Sequence, residues 1–130
     1  MAERFLIDTS AIIKYLNDIF PAPGISFLDE VLNEESFISF ITEIELQVWN
    51  PSNAEDILIY NSFVEQSHIL GVDQDIIRET IRIRKSKKIK LPDALIAATA
   101  IVHDRTLISD NDKDFKKVPK LKYINPNLCL

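Results

Sequence analysis

Four carboxylates stand at positions from which side-chain chemistry is easily arranged. Asp8 follows the apolar run Phe5-Leu6-Ile7, and Glu45 falls in the helix expected after the apolar run 37–41. Asp93 opens an Ala-rich stretch, and Asp114 closes the acidic segment 110–114. Carboxylates brought together repel one another, and burying them unpaired is costly. A divalent cation relieves that repulsion, and an oxygen-only donor set favours Mg2+ or Mn2+ over zinc. The two histidines, His68 and His103, have no metal-motif spacing. HExxH, CxxC and Gly-rich phosphate loops are absent, and Gly24 and Gly71 are the only glycines, so P-loop and dinucleotide-binding chemistries are excluded. An acidic metal site of this kind suits phosphodiester hydrolysis: the ion polarises the phosphate and lowers the pKa of a water for in-line attack.

Each acid also has a simpler reading. Asp8 and Asp93 could each stabilise a helix N-terminus through its dipole. Glu45 sits three residues after Thr42, the spacing of a capping box, and residues 110–114 could form a solvated turn. These readings weaken only if all four acids meet at one end of the fold.

The elements that would bring them there are legible as a pattern. Strands are expected at 4–7, 37–41, 68–72, 106–109 and 122–124, from short apolar runs. Helices are expected at 11–16 with Thr9 or Ser10 as cap, from Ser26 after a Pro21-Pro23-Gly24 break, after Thr42, and at 54–66. A further helix follows the Asp73 cap with Ile76, Ile77, Ile81 and Ile83 inside, and Pro92 begins another at about 93–104. Long helical crossovers between strands imply an α/β fold with a parallel sheet of four to five strands and helices on both faces. In such sheets the binding crevice lies beyond the carboxyl ends of the strands, where Asp8, Glu45, Asp93 and the 110–114 segment would converge.

The 130 residues, 46% apolar and 27% charged, fit one domain spanning 1–130 and argue against a disordered scaffold. A lone cysteine, Cys129, argues for a reducing compartment, so a cytoplasmic location is expected. The longest nearly apolar stretch, 94–102, falls far short of the roughly 20 residues that span a bilayer, and no signal peptide is visible, so no membrane association is expected. The net charge of -5 speaks against a polyanionic partner only when taken as a sum. Residues 78–90 carry seven basic side chains against Glu79 alone, leaving eight basic and nineteen acidic residues elsewhere. Arg82, Lys85, Lys87, Lys88 and Lys90 in that segment are the candidates for holding the phosphates of a phosphodiester substrate beside the acidic centre.

Three motifs carry a family resemblance: FLIDTSAII at the start, ISFITEIEL in the first half, and KLPDALIAATAIVHDRTLISDNDKDF in the last third. They resemble the PIN-domain family, and within it the VapC-type toxins of type II toxin–antitoxin modules. The resemblance implies a three-layer α/β/α sandwich and a Mg2+- or Mn2+-dependent endoribonuclease that leaves 5′-phosphate and 3′-hydroxyl ends. It also implies inhibition by a cognate VapB-like antitoxin, and a homodimer. Carried over by position, the catalytic acids are Asp8, Glu45 and Asp93, with Asp8 and Asp93 as metal ligands and Thr9 or Ser10 as the adjacent hydroxyl. Where the family usually reads Thr-Arg-Asn or Thr-Arg-Asp before an Asp-Phe pair, this chain has Ser109-Asp110-Asn111 and then Asp114-Phe115. Asp114 is therefore taken as the fourth acid, supported by Asp110 and Asn111, although Asp110 replaces a position that is commonly basic. In the same family terms, the aromatic-rich region with Phe20, Phe27, Phe40, Trp49 and Phe63 resembles the antitoxin-binding side, though most of these rings are expected in the core.

Two other classes compete. A non-catalytic PIN-fold module for RNA or protein binding would lack one of the acids Asp8, Glu45 and Asp93, and all three are present. A phospho-acceptor receiver domain needs an acidic pair after the first strand, which Asp8-Thr9 does not supply.

Overall fold

A computed structural model describes residues 3–130. Apolar triplets form its strands: β1 (Phe5–Ile7), β2 (Phe37–Ser39), β3 (His68–Leu70) and β4 (Thr106–Ile108), with the two-residue β5 (Tyr123–Ile124). The helices are α1 (Thr9–Leu16), α2 (Ala22–Glu34), α3 (Phe40–Val48), α4 (Ala54–Gln66), α5 (Gln74–Ser86), α6 (Leu91–Val102) and α7 (Asp112–Phe115), and a 3-10 turn covers Pro126–Leu128. All strand pairs are parallel, as the helical crossovers require. The expected four-to-five-stranded sheet is divided into two ladders, β1-β4-β5 and β2-β3, with β2 lying against β1.

Alternation along the strands separates two cores. Leu6 and Leu107 face one side and pack with Ile76 and Ile83 of α5, the alanines of α6, and Phe115. Ile7 and Ile108 face the other, against Ala11 and Ile12 of α1, Leu28 and Val31 of α2, Leu46 of α3, and Tyr60 and Val64 of α4. The result is the three-layer α/β/α arrangement. No helix among the described residues is long and apolar enough to cross a membrane.

Several boundaries differ from the sequence pattern, each for an identifiable reason. The second helix begins at Ala22 instead of Ser26, because Pro23 lies in the first turn, where its missing N–H costs nothing. Gly24 is required there by a tertiary contact: a Cβ would lie 2.3 Å from the Pro126 carbonyl oxygen. The second strand stops at Ser39, whose Oγ accepts from Thr42 N at 3.2 Å, so Phe40 and Ile41 enter the helix and Ser39 replaces Thr42 as its cap. Asp8, not Thr9 or Ser10, caps α1. On α5 the buried stripe is Ile76, Thr80 and Ile83, while Ile77 and Ile81 are exposed on its flanks. The acidic segment coils into α7 under an Asn111 cap. Of the five aromatic rings expected mostly in the core, Phe20 is buried, Phe27, Phe40 and Phe63 are half-buried, and Trp49 is exposed.

Candidate active site

The register of β1 and β4, with Ile7 opposite Ile108, sets Asp8 beside Ser109 at the carboxyl edge of the sheet. Asp8 is buried, and three donors surround it. Its Oδ1 accepts from Thr9 N at 2.9 Å, and its Oδ2 accepts from Ser109 Oγ at 2.8 Å and Ser10 Oγ at 3.1 Å. Burial nevertheless pushes its carboxyl up to about 6, and the Asp93 charge adds to the rise. A group held this way is positioned but reluctant to ionise without a cation.

Glu45 arrives from the second turn of α3. With Ser39 as the true cap, it has no part in a capping box. Its Oε1 instead accepts from Thr9 Oγ1 at 2.6 Å, and the same hydroxyl lies 3.0 Å from Oγ1 of the buried Thr42. Asp93 sits in the first turn of α6, which Pro92 helps to start. Burial raises its carboxyl, the charges of Asp114 and Glu45 raise it further, and Lys90 opposes them. Asp93 is thus the common electrostatic neighbour of Asp8, Glu45 and Asp114. Asp114 is oriented by Asn111, whose Nδ2 donates to Oδ2 at 3.1 Å, and its Oδ1 lies 3.8 Å from Lys117 Nζ.

Asp110 belongs to the same edge but has a different environment. Its Oδ1 lies 2.9 Å from Ser10 Oγ, whose single proton it shares with Asp8 Oδ2, and its Oδ2 is ion-paired with Lys14 of α1. Burial works against its charge, but donation by Lys14 and Ser10 outweighs burial and holds the carboxyl below the usual range. Asp110 therefore stands as a satisfied carboxylate, whereas Asp8 and Asp93 do not.

The donor chemistry fits a small hard cation. Among the described residues no three of His, Cys, Asp and Glu lie close enough to form a preformed cage. Mg2+ does not demand one, since it keeps several waters and binds through one or two carboxylates. Asp8, raised by burial and the Asp93 charge, and Asp93, raised by burial and the charges of Asp114 and Glu45, are the pair that would gain most from it.

The basic segment is only partly available. Lys85, Lys87 and Lys88 are exposed and, with Arg84, line a cleft of about 410 Å3 at the end of α5. Lys90, also exposed, caps α6 one turn from Asp93. Arg82 differs from the expected free cation: it is half-buried, paired with Glu79, and its Nε is buried without a partner. The sequence reading missed Lys14, Thr42 and Ser109 as site residues. Ser109 was recoverable from aligning FLID with TLIS as adjacent strands; Lys14 carried no local signal.

The PIN domain profile matches residues 5–121. No curated protein sequence matches significantly. Among solved structures, VapBC2 from Rickettsia felis bound to a promoter DNA fragment superposes with a TM-score of 0.76 at 25% identity, over 93% of this chain and 97% of that one. A toxin–antitoxin complex from Klebsiella pneumoniae gives 0.71 at 28% identity, over 93% and 96%. DNA-bound VapBC from Salmonella typhimurium gives 0.77 at 20% identity, over 96% and 99%, a likeness of fold. With nearly the whole chain covered by the family's pattern, and its acids gathered at one sheet edge, the protein belongs to the PIN domain family.

Proposed function

We propose that this chain is a Mg2+- or Mn2+-dependent endoribonuclease, and the VapC-like toxin of a toxin–antitoxin pair. The observation that carries the reading is that Asp93 is the electrostatic neighbour of Asp8, Glu45 and Asp114, acids from four separate segments, where burial and like charge disfavour ionisation of Asp8 and Asp93. Helix capping alone explains none of that convergence. When bound there, the cation would polarise the scissile phosphate and acidify an attacking water.

The chain's own residues have separable parts in this reading. Asp8 and Asp93 hold the cation, with Ser109, Ser10 and Thr9 N fixing the Asp8 carboxylate. Glu45, oriented by Thr9, faces the same centre and can take a proton from the attacking water. Asn111 holds Asp114 at the far side. Lys85, Lys87, Lys88 and Lys90 meet the flanking phosphates, which the acidic remainder of the chain would otherwise repel.

The structural neighbours are toxin–antitoxin complexes, which supports a cognate VapB-like antitoxin as partner here. A shallow groove of about 370 Å3 lined by Leu16, Leu58, Ile59 and Phe63 offers an apolar segment a seat. A homodimer belongs to the same proposal.

Product chemistry tests the reading. Purified protein incubated with RNA and Mg2+ should yield fragments with 5′-phosphate and 3′-hydroxyl ends. Cyclic 2′,3′-phosphate ends, or intact RNA, would overturn it.

A further inference from the structure

Lys14 and Asp110 are 96 residues apart in sequence, and theirs is the one ion pair near the acidic centre, among the described residues, that joins two distant elements. The pairs Arg78–Asp75, Arg82–Glu79 and Lys117–Asp114 are local, and Lys122–Asp104 lies at the other end of the sheet. Asp110 is fixed from two sides, by Ser10 Oγ at 2.9 Å and by Lys14, and only 10% of its side chain is exposed. Lys14 is 40% exposed, so its ammonium has donors left for solvent or for a ligand. Ser10 Oγ, which touches both Asp110 and Asp8, places that ammonium one carboxylate and one hydroxyl away from Asp8.

A bare carboxylate at this lip would repel a polyanion entering the crevice. A lysine anchored on it reverses the sign of what the entering strand meets. Resting on the nuclease reading above, we propose that Lys14 is a substrate-positioning residue. Its ammonium, held on Asp110, contacts a backbone phosphate of the RNA beside the cleaved bond. Asp110 seats the ammonium at the crevice lip through a side-chain oxygen, an acceptor that an Asn at this position would keep.

The test separates a phosphate contact from a merely structural ion pair. RNA affinity is measured across a salt series in an Asp93→Asn background, so that the strand stays intact. Lys14→Met should weaken binding about threefold to tenfold at low salt and flatten the log–log salt slope by roughly 0.7. Lys14→Arg should retain both, and Lys122→Met, at the opposite end of the sheet, should change neither. Asp110→Asn should bind no more weakly than its parent, since it removes a negative charge and leaves the cation. In the active protein, Lys14→Met should raise KM with kcat within about twofold.

Unchanged affinity and slope in Lys14→Met would overturn the proposal, as would equal weakening by Lys14→Met and Asp110→Asn. If Lys14→Met does not fold, Lys14→Gln takes its place: the same weakening and flatter slope support the contact, and unchanged affinity and slope overturn it. A wild-type protein that neither binds nor cleaves RNA overturns the nuclease reading and this proposal together. A wild type that cleaves RNA, beside a Lys14→Met variant that binds equally well, overturns only this one.

Discussion

Asp8 and Arg105 are buried charges at opposite ends of the same pair of parallel strands, 5% and 3% exposed, and their surroundings differ in kind. Arg105, just before β4, has neighbours that accept its charge. Its guanidinium lies 3.6 Å from the centre of the Phe37 ring, and its Nη1 donates to the Phe5 carbonyl at 3.1 Å. Burial lowers its pKa, Arg4 lowers it further and Glu35 opposes them. Asp8, just after β1, has three donors but also Asp93 for a neighbour, and its carboxyl is pushed up to about 6. Burial and a like-charged neighbour oppose both charges, and the buried Arg105 Nε has no partner among the described residues. The difference is that Glu35 and the Phe37 face offset the cost at Arg105, whereas no positive group among the described residues offsets it at Asp8, the end where the proposed cation would.

The largest expected contrast is in activity. Asp8→Asn should lower RNA cleavage by about 10²-fold or more, while Arg105→Met should leave the rate per folded molecule within about threefold. A chain whose two ends were equivalent would lose activity through either change. In stability the order should reverse. Arg105→Met removes a charge-assisted hydrogen bond and a cation–π contact, so denaturant unfolding should show a loss of about 1–2 kcal/mol.

The pH dependence sharpens the comparison. The native Asp8 carboxyl is pushed up to about 6 from the 3.8 of an aspartate in water, so between those values the folded state binds more protons than the unfolded one. Its contribution therefore turns against folding as pH rises through that window, to about 2–3 kcal/mol above it. In EDTA, Asp8→Asn should be more stable than wild type at pH 8, by about 1–3 kcal/mol, with the gap closing toward pH 4. A gap that does not change with pH would contradict the burial argument. Smaller again is the effect of the basic rim: replacing Lys85, Lys87 and Lys88 with Gln should reduce the salt slope of RNA binding by about 2. Arg82→Gln should add little, because that side chain is already engaged with Glu79.

What was legible in the sequence follows the same division. Acids that directly follow apolar runs, such as Asp8, or that open an apolar helix, such as Asp93, announce their place because parallel topology puts all such positions at one edge. The Asp73 cap and the bounds of α4 were local features and were readable as such. Whether Phe40 and Ile41 end a strand or begin a helix was not, since Ser39 and Thr42 are both competent caps. The choice rests on a β2–β3 ladder only three rungs long. Gly24 is tied to Pro126, and Lys14 to Asp110, by contacts about a hundred residues apart in sequence, with no periodicity to reveal them.

The most direct test of the acidic edge as a metal-dependent nuclease site is one titration. RNA cleavage by the wild type and by Asp93→Asn is followed as Mg2+ rises from EDTA-chelated to millimolar levels. The wild-type rate should climb from background to saturation, with Asp93→Asn at least about 10²-fold lower throughout. Cleavage that persists in EDTA, or an Asp93→Asn curve that overlays the wild type, would contradict the assignment.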